Sequence, residues 1–132
     1  MKEVLDTRFL AEYFHSSQAE IKARTGRKLK ALLAKNEGIL PTIVIAEMVQ
    51  ITCARRGKDM AESRYQSLIQ SGLEIQNLIP SIAQKAGLLK CEYKNLPMGD
   101  CIIAATAIIH HARIISDDPH FDCIKETNRT WI

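Results

Sequence analysis

Acidic residues next to apolar segments are the part of this sequence whose chemistry is most informative. Asp6, Asp100 and the pair Asp117-Asp118 each stand at one end of a short apolar segment, and Glu47 lies inside another. A carboxylate at the edge of a hydrophobic core is unfavourable unless it is paired with a cation or binds a metal ion. These positions are therefore candidates for a metal or catalytic site.

If these acids converge, their negative charges repel one another and raise each other's pKa values. A divalent cation would remove that conflict. A ligand set made of carboxylate oxygens, without His or Cys, suits Mg²⁺ or Mn²⁺ better than Zn²⁺. Such an ion holds phosphate oxygens and activates water, so the pattern indicates metal-assisted cleavage of phosphodiester bonds.

The elements that position these acids alternate along the chain. Predicted strands cover residues 2–5, 38–41, 73–78, 112–116 and 130–132, and helical patterns fill the intervals between the first four. This alternation predicts an α/β fold, a three-layer α/β/α sandwich around a mainly parallel sheet of four to five short strands. Residues 1–132 are interpreted as a single domain. In such sheets, sites form outside the carboxyl ends of the strands, where most of these acids fall.

Start and stop signals refine the predicted helices. Ser16 or Ser17 is expected to cap the second helix, with Glu20 completing a capping box after Ser17. Gly57 is expected to break the chain between two helices. Asp100 is expected to open a helix that is apolar nearly all round and must therefore be buried on several sides.

Each acid also has a purely structural interpretation. Asp6 and Asp100 could be helix caps, and Glu47 could form a surface ion pair. Asp117 and Asp118 could be turn residues before a proline. Because all of them occur in order at strand and helix ends, the site interpretation is favoured over four independent structural roles.

Composition limits the other possibilities. Eighteen Lys and Arg residues against 15 Asp and Glu residues give a net charge of +3, which indicates neither a strong polyanion binder nor an acidic protein. No apolar run reaches the length of a membrane span, and no signal peptide is recognisable, so a cytoplasmic protein without membrane contact is expected. The four cysteines lack C-x-x-C spacing, which argues against zinc and favours buried free thiols.

Basic residues concentrate in one predicted helix. Six Lys or Arg residues and no acid lie between Lys22 and Lys35. Arg24, Arg27, Lys28 and Lys30 can share part of one helix face, and they are the candidate RNA-binding surface. A solvated face or a site for an acidic partner is the alternative. No aromatic residue interleaves with this run, so base stacking is not indicated there.

Four pieces of the sequence together resemble a PIN domain, in particular the small prokaryotic ribonucleases of the VapC toxin type. The pieces are Val4-Leu5-Asp6-Thr7, the helical segment around Glu47, Leu96-Pro97-Met98-Gly99-Asp100 with the apolar run after it, and Ser116-Asp117-Asp118-Pro119-His120-Phe121, an S-x-D-x-x-F motif. Each piece is weak alone, whereas the ordered set spans essentially the whole chain.

The resemblance implies a Mg²⁺- or Mn²⁺-dependent ribonuclease that leaves 5′-phosphate and 3′-hydroxyl ends. It places the family's metal-binding acids on Asp6, Glu47, Asp100 and Asp118. Of these, the two strand-end acids and Asp100 would hold the ion, and Glu47 would complete the shell or orient the attacking water. Asp117 occupies a variable position and is a possible accessory acid.

Further positions follow from the same resemblance. Thr7 and Ser116 would orient ligand carboxylates or water. Arg8 departs from the family pattern, and either contacts phosphate or pairs with an acid in the resting protein. The histidines, including His110, His111 and His120, are expected to be structural or exposed. A homodimer is also implied, with exposed apolar residues on the early helices, such as Tyr13 and Phe14, as its candidate contact.

Other functions remain open at this point. A haloacid-dehalogenase-type phosphatase needs a second Asp where Arg8 stands, and a receiver domain needs an Asp after the third strand, near Leu78, where none occurs. An inactive PIN scaffold that binds RNA or protein is a further alternative. An active nuclease would be either a toxin, neutralised by an antitoxin that fills the acidic crevice or a groove beside the early helices, or a housekeeping RNA-processing enzyme.

Overall fold

A parallel sheet forms the centre of the molecule. The computed structural model describes residues 1–132. Its strands are β1 (Glu3–Leu5), β2 (Gly38–Pro41), β3 (Glu74–Gln76), β4 (Arg113–Ile115) and β5 (Arg129–Thr130). All neighbours pair in parallel, in the order β3-β2-β1-β4-β5. The central strand is therefore the first in sequence, with β2 and β4 on either side of it.

Helices make all but the last of the connections between strands. They are α1 (Thr7–His15), α2 (Ala19–Lys35), α3 (Thr42–Arg56), α4 (Lys58–Ile69), α5 (Pro80–Glu92) and α6 (Met98–Ile109), with a 3₁₀ turn at Pro119–Cys123. Right-handed crossovers place α1 to α4 on one face of the sheet and α5 and α6 on the other. The predicted three-layer α/β/α fold is confirmed.

The three central strands are apolar because both faces of the sheet are covered. Val4, Leu5, Ile39, Ile114 and Ile115 are fully buried. Each such side chain contributes roughly 1.5–3 kcal/mol relative to exposure. The sheet, α6 and the inner faces of the other helices form one hydrophobic cluster, which fixes the strand ends from which the acids project.

Helix boundaries differ from the sequence expectation at two places. The predicted capping box is wrong, since α2 begins at Ala19 with Gln18 as its N-cap. The hydroxyl of Ser16 instead accepts a hydrogen bond from the Gln18 backbone N–H, 3.1 Å away, and shapes the turn between α1 and α2. Helix α6 begins at Met98, after Pro97 in extended geometry, so Asp100 lies in its first turn.

The break between α3 and α4 was predicted correctly. Gly57 has a φ of +87°, a left-handed conformation that side chains rarely adopt, and it ends α3 while opening α4. The final strand is Arg129–Thr130 rather than residues 130–132. The last backbone hydrogen bond between the two segments runs from the N–H of Ser116, just after β4, to the Thr130 carbonyl.

The cysteines are all free thiols, as expected, but only Cys101 is buried. Cys91 and Cys123 are exposed and Cys53 is half-buried, so burial was wrongly expected for these three. None of the helices is long and apolar enough to cross a membrane.

Candidate metal centre

The sequence-predicted acids meet at the carboxyl edge of the sheet, between β1 and β4. After β1 the chain continues to β2 on one side of β1, whereas β4 pairs with β1 on its other side. The connections therefore diverge at the carboxyl ends of β1 and β4, and a crevice opens there. Asp6 follows β1, and Ser116 and Asp118 follow β4. The Ser116 hydroxyl donates to Asp6 Oδ2 at 2.6 Å and accepts from the Asp118 N–H at 3.0 Å. One hydroxyl therefore fixes the relative position of two acids from different strands.

Two helices add the other acids. Glu47 lies on α3, and the Thr7 hydroxyl at the start of α1 donates to its Oε1 at 2.6 Å. A Cβ at Gly99 on α6 would lie 3.4 Å from Glu47 Oε2, which is an ordinary van der Waals contact. The first turn of α6 therefore packs beside Glu47, and Asp100 in that turn lies at the crevice.

A histidine joins the acids. Ligand atoms of Asp100, Asp118 and His120 all lie within 4.8 Å of one another. The His120 backbone N–H donates to Asp118 Oδ1 at 2.9 Å, and its ring Nδ1 is 3.2 Å from the same oxygen. A structural or exposed role was predicted for His120, and its ring is 69% exposed, but it lies at the cluster. Its place two residues after Asp118 in the S-x-D-x-x-F motif was the available signal.

The clustered charges alter the pKa values of two of the acids. Burial, together with the negative charges of Asp6, Asp118 and Glu47, raises the pKa of Asp100 to about 6. Burial also raises the pKa of Asp6, although the hydrogen bond from Ser116 opposes that shift. Without a cation, the crevice therefore favours protonation of acids that are ionised in water.

The donor set fits a divalent cation. Asp100 and Asp118 would supply hard oxygen ligands, which Mg²⁺ and Mn²⁺ prefer, and Asp6 and Glu47 lie near enough for their charges to raise the pKa of Asp100. No Lys or Arg forms an ion pair with any of these four side chains. The imidazole of His120 adds a nitrogen that transition-metal ions accept more readily than Mg²⁺ does.

The accessory acid Asp117 is paired instead with the chain's own cation. Arg8 Nε donates to Asp117 Oδ1 at the rim of the crevice. This contact, together with the charges of Asp118 and Asp6, raises the pKa of Arg8. Of the two roles considered for Arg8, the structure shows pairing with an acid.

The basic residues of α2 do not act as one group. Lys28 forms an ion pair with the buried Glu3 at 2.7 Å, at the amino end of β1 and thus at the opposite edge of the sheet from the acids. Arg24, Arg27 and Lys30 are exposed and form no ion pair. Only these three of the four candidate side chains are free to contact a ligand.

A second basic group was missed by the sequence analysis. Burial and the nearby charges of Arg64, Arg55, Arg56 and Lys22 lower the pKa of His15. Arg64 also stacks on Phe14, with its guanidinium carbon 3.9 Å from the ring centre. The group assembles from the ends of α1 and α3, the first turn of α2 and the middle of α4, so no single stretch of sequence shows it. Phe14 is half-buried beneath Arg64, which weakens the expectation that the early helices form an exposed apolar contact.

The fold and the crevice define an α/β protein with a cluster of acidic residues at the carboxyl edge of its parallel sheet. The family model of the PIN domain matches residues 4–126. The chain therefore belongs to the PIN domain family. None of the curated proteins compared with it matches its sequence.

Solved structures of toxin–antitoxin proteins share this fold over nearly the whole chain. VapBC2 from Rickettsia felis, bound to a DNA fragment from its promoter, has a TM-score of 0.81 at 20% identity and covers 99% of this chain and 98% of its own. A toxin–antitoxin complex from Klebsiella pneumoniae has a TM-score of 0.68 at 25% identity, covering 96% and 95%. VapC20 from Mycobacterium tuberculosis, a sarcin–ricin loop cleaving toxin, has a TM-score of 0.72 at 14% identity, covering 92% and 94%.

Proposed function

We propose that this protein is an Mg²⁺- or Mn²⁺-dependent endoribonuclease and the toxin of a toxin–antitoxin pair. The main observation in support is a group of four carboxylates that have no Lys or Arg partner: burial, together with the charges of the other three, raises the pKa of Asp100 to about 6. PIN family membership and the similarity to toxin structures support the same interpretation.

Each residue of the crevice has a distinct role in this proposal. Asp6, Asp100 and Asp118 hold the cation, which supplies charge neutralisation at the phosphate and lowers the pKa of water. Glu47, held by the Thr7 hydroxyl, orients the attacking water or completes the ion's shell. Ser116 keeps Asp6 turned toward the ion.

Loss of a single carboxylate tests this function. We expect Asp6→Asn and Asp100→Asn to reduce RNA cleavage at least about 100-fold, because each removes a negative ligand but preserves the shape of the side chain. Cleavage of a panel of structured and unstructured RNAs with Mn²⁺ or Mg²⁺ is the measurement. Glu62→Gln, an exposed acid on α4, is the matched control and should retain full activity.

Undiminished cleavage by either crevice variant would disprove the assignment. If the wild-type protein takes up no Mn²⁺ in calorimetry and cleaves nothing, the alternative of an inactive PIN scaffold that binds RNA or protein is supported instead. Arrest of host growth on expression, abolished in Asp100→Asn, would support a toxin over a housekeeping RNA-processing nuclease.

A groove beside the early helices offers a place for the antitoxin. A cavity of about 290 Å³ lies between α1, α2 and α4, and its wall is mainly apolar, with contributions from Leu10, Phe14, Leu29 and Leu68. Co-expression with the product of the neighbouring gene should yield a stable complex. Leu29→Asp should weaken that complex more than Lys30→Asp, which changes an exposed residue next to it.

In this proposal, exposed basic residues bind the RNA backbone. Phosphate contacts from Arg24, Arg27 and Lys30, or from Arg55 and Arg56, would make binding fall steeply with salt. Replacing either set with Glu should reduce the slope of log K against log salt concentration, by about 1 for each phosphate that is no longer bound. Binding without salt dependence would contradict both surfaces.

The homodimer remains a prediction, and the exposed apolar residues suggest a different contact from the one first expected. Tyr65, Ile69 and Ile75 are each at least 36% exposed and line a cavity of about 570 Å³ between α3, α4 and the edge strand β3. We assign the dimer contact to this face. Light scattering should show a dimer that Ile69→Lys converts to a monomer.

A further inference from the structure

A further cavity adjoins the acidic crevice. It has a volume of about 610 Å³ and lies between the end of α5, the loop before α6 and the 3₁₀ turn after β4. His120 lines this cavity and also belongs to the Asp100–Asp118–His120 group. Whatever occupies the cavity is therefore next to the atoms proposed to hold the metal ion.

The loop that forms one wall is held in place by the protein itself. Lys90 on α5 donates from Nζ to the carbonyls of Lys94 and Leu96, at 2.7 and 2.9 Å. The buried Cys101 thiol also approaches the Leu96 carbonyl, at 3.8 Å. These contacts involve only the backbone oxygens of the loop. The loop side chains that face the cavity therefore take no part in holding the loop in place.

The wall combines flat apolar surface with unused polar groups. Tyr93, Leu96 and Pro119 supply the apolar part. The Asn95 amide and the Lys94 ammonium, both exposed, form no side-chain hydrogen bond or ion pair within the protein, and neither does the Tyr93 hydroxyl. These polar groups are therefore available to a ligand.

This combination matches a nucleobase and its phosphate. An aromatic ring stacks on the face of any base, an amide can read the hydrogen-bonding edge of a base, and an ammonium pairs with a phosphate. The volume lies within the roughly 300–1,000 Å³ of small-molecule sites. Bases inside an A-form duplex cannot enter such a cavity, since only unstacked bases can be splayed out.

We propose that this cavity binds one unpaired nucleobase of a single-stranded RNA substrate, next to the phosphate that is cleaved. Tyr93 stacks on the base, Asn95 contacts its edge, and Lys94 contacts a neighbouring phosphate. The inference rests on the proposed ribonuclease function and adds to it a substrate class, unpaired RNA, and a position for selectivity among bases.

Binding to an abasic substrate tests the proposal. The probe is a short single-stranded RNA bound to the Asp100→Asn protein, which prevents cleavage, and a single abasic nucleotide is moved along it. Tyr93→Leu is expected to weaken binding about fivefold or more, the range for loss of one stacked base. Tyr93→Phe retains the ring and should bind within about twofold of the unchanged tyrosine.

The abasic substitution and Tyr93→Leu should act on the same contact. At one position of the RNA, the abasic nucleotide should weaken binding at least as much as Tyr93→Leu does, since it also removes the Asn95 contact, and adding Tyr93→Leu to the abasic substrate should weaken binding no further. Additive effects, or unchanged binding with Tyr93→Leu, would overturn the inference.

A second variant does not depend on the packing of Tyr93. Asn95 is exposed, so Asn95→Ala should fold normally and should reduce the preference among the four bases at that position. Asn128→Ala, an exposed asparagine distant in sequence, is the control and should leave the preference unchanged. Equal preference before and after Asn95→Ala would contradict the assigned edge contact.

The test separates this inference from the function beneath it. If the wild-type protein cleaves RNA with Mn²⁺ but is insensitive to the abasic nucleotide and to both cavity variants, only the cavity assignment fails. If the wild-type protein cleaves none of the structured and unstructured RNAs with Mn²⁺ or Mg²⁺, the ribonuclease proposal fails as well.

Discussion

Acidic side chains at the two edges of the sheet differ in whether the protein supplies a cation to pair with them. At the amino edge, Glu3 is buried at the start of β1, yet it lies 2.7 Å from Lys28 and 3.3 Å from Arg113. Glu74 at the same edge pairs with Lys2 at 2.8 Å, and Glu37 pairs with the chain's amino terminus. Each of these acids has a cation supplied by the protein.

At the carboxyl edge, the corresponding acids have no Lys or Arg partner, and only the exposed ring of His120 contacts one of them, Asp118. Asp6 and Glu47 accept hydrogen bonds from Ser116 and Thr7, but hydroxyl groups do not neutralise charge. The pKa of Asp100 rises to about 6 as a result of burial and these neighbouring charges. Residue type alone does not separate the two edges, since both contain carboxylates, and the missing counter-charge is what indicates a site for an external cation.

Metal addition should distinguish the edges most strongly. Mn²⁺ at 100 times its Kd should stabilise the wild-type protein by about 2.7 kcal/mol, since it binds only the folded state. Asp118→Asn should lose most of this gain, whereas Glu3→Gln should retain it. Thermal unfolding with and without Mn²⁺, reversed by a chelator, is the measurement. Equal loss in both variants would mean that the two edges do not differ in this way.

Removing the charge at the amino edge should affect folding rather than metal binding. Glu3→Gln leaves Lys28 and Arg113 without their partner, and we expect a loss of roughly 1–3 kcal/mol in unfolding free energy. The effect stays below that of a fully buried pair because both cations are partly exposed. Urea unfolding of metal-free protein gives the value. Glu62→Gln, with no ion pair, should change it little.

The hydroxyls that orient the acids should have a smaller effect. Ser116→Ala removes the donor to Asp6, and Mn²⁺ affinity should fall about 10-fold, at the lower end for an outer-shell partner. Calorimetric titration measures this change. Ser67, an exposed serine on α4, also donates a hydrogen bond through its hydroxyl, and Ser67→Ala should leave the Mn²⁺ affinity unaltered. An unchanged affinity in Ser116→Ala would show that Asp6 needs no orienting group.

The smallest effect concerns stability without metal. Because the folded protein raises the pKa of Asp100 to about 6, ionisation of this group destabilises the fold above that pH. Asp100→Asn should therefore raise the Tm of metal-free protein by a few degrees at about pH 7.5. The difference should vanish below about pH 3, where the wild-type carboxyl is protonated in both the folded and the unfolded chain. A higher Tm for the wild-type protein at about pH 7.5 would contradict the raised pKa.

Much of the fold was predictable because its elements have strong local signals. Alternating apolar segments predicted the parallel sheet, and Gly57 marked a helix boundary correctly. The capping box predicted at Ser17 does not form, because the Ser16 hydroxyl accepts the Gln18 N–H in that turn instead. The local sequence does not decide between two adjacent serines.

The site was predictable in part for the same reason. Strand ends and apolar flanks singled out Asp6, Glu47, Asp100 and Asp118, and the structure places the other three near Asp100. Their role as metal ligands stays a prediction. His120 was not singled out, since its spacing fits both a turn residue and a ligand. Glu3 was not noticed, and Lys28 was assigned to RNA, because their pairing joins residues far apart in sequence.

The sequence by itself determined which residues are acidic, where strands and helices alternate, and that the acids follow strand ends. Only the tertiary structure decided which charges are neutralised: Lys28 and Arg113 reach Glu3, Arg8 reaches Asp117, and no cation of the chain reaches Asp100. The basic group around His15 and the cavity beside Tyr93 likewise assemble from separate elements. The physical reason is that charge compensation and cavities depend on distances between elements, and those distances are set by how the helices pack on the sheet.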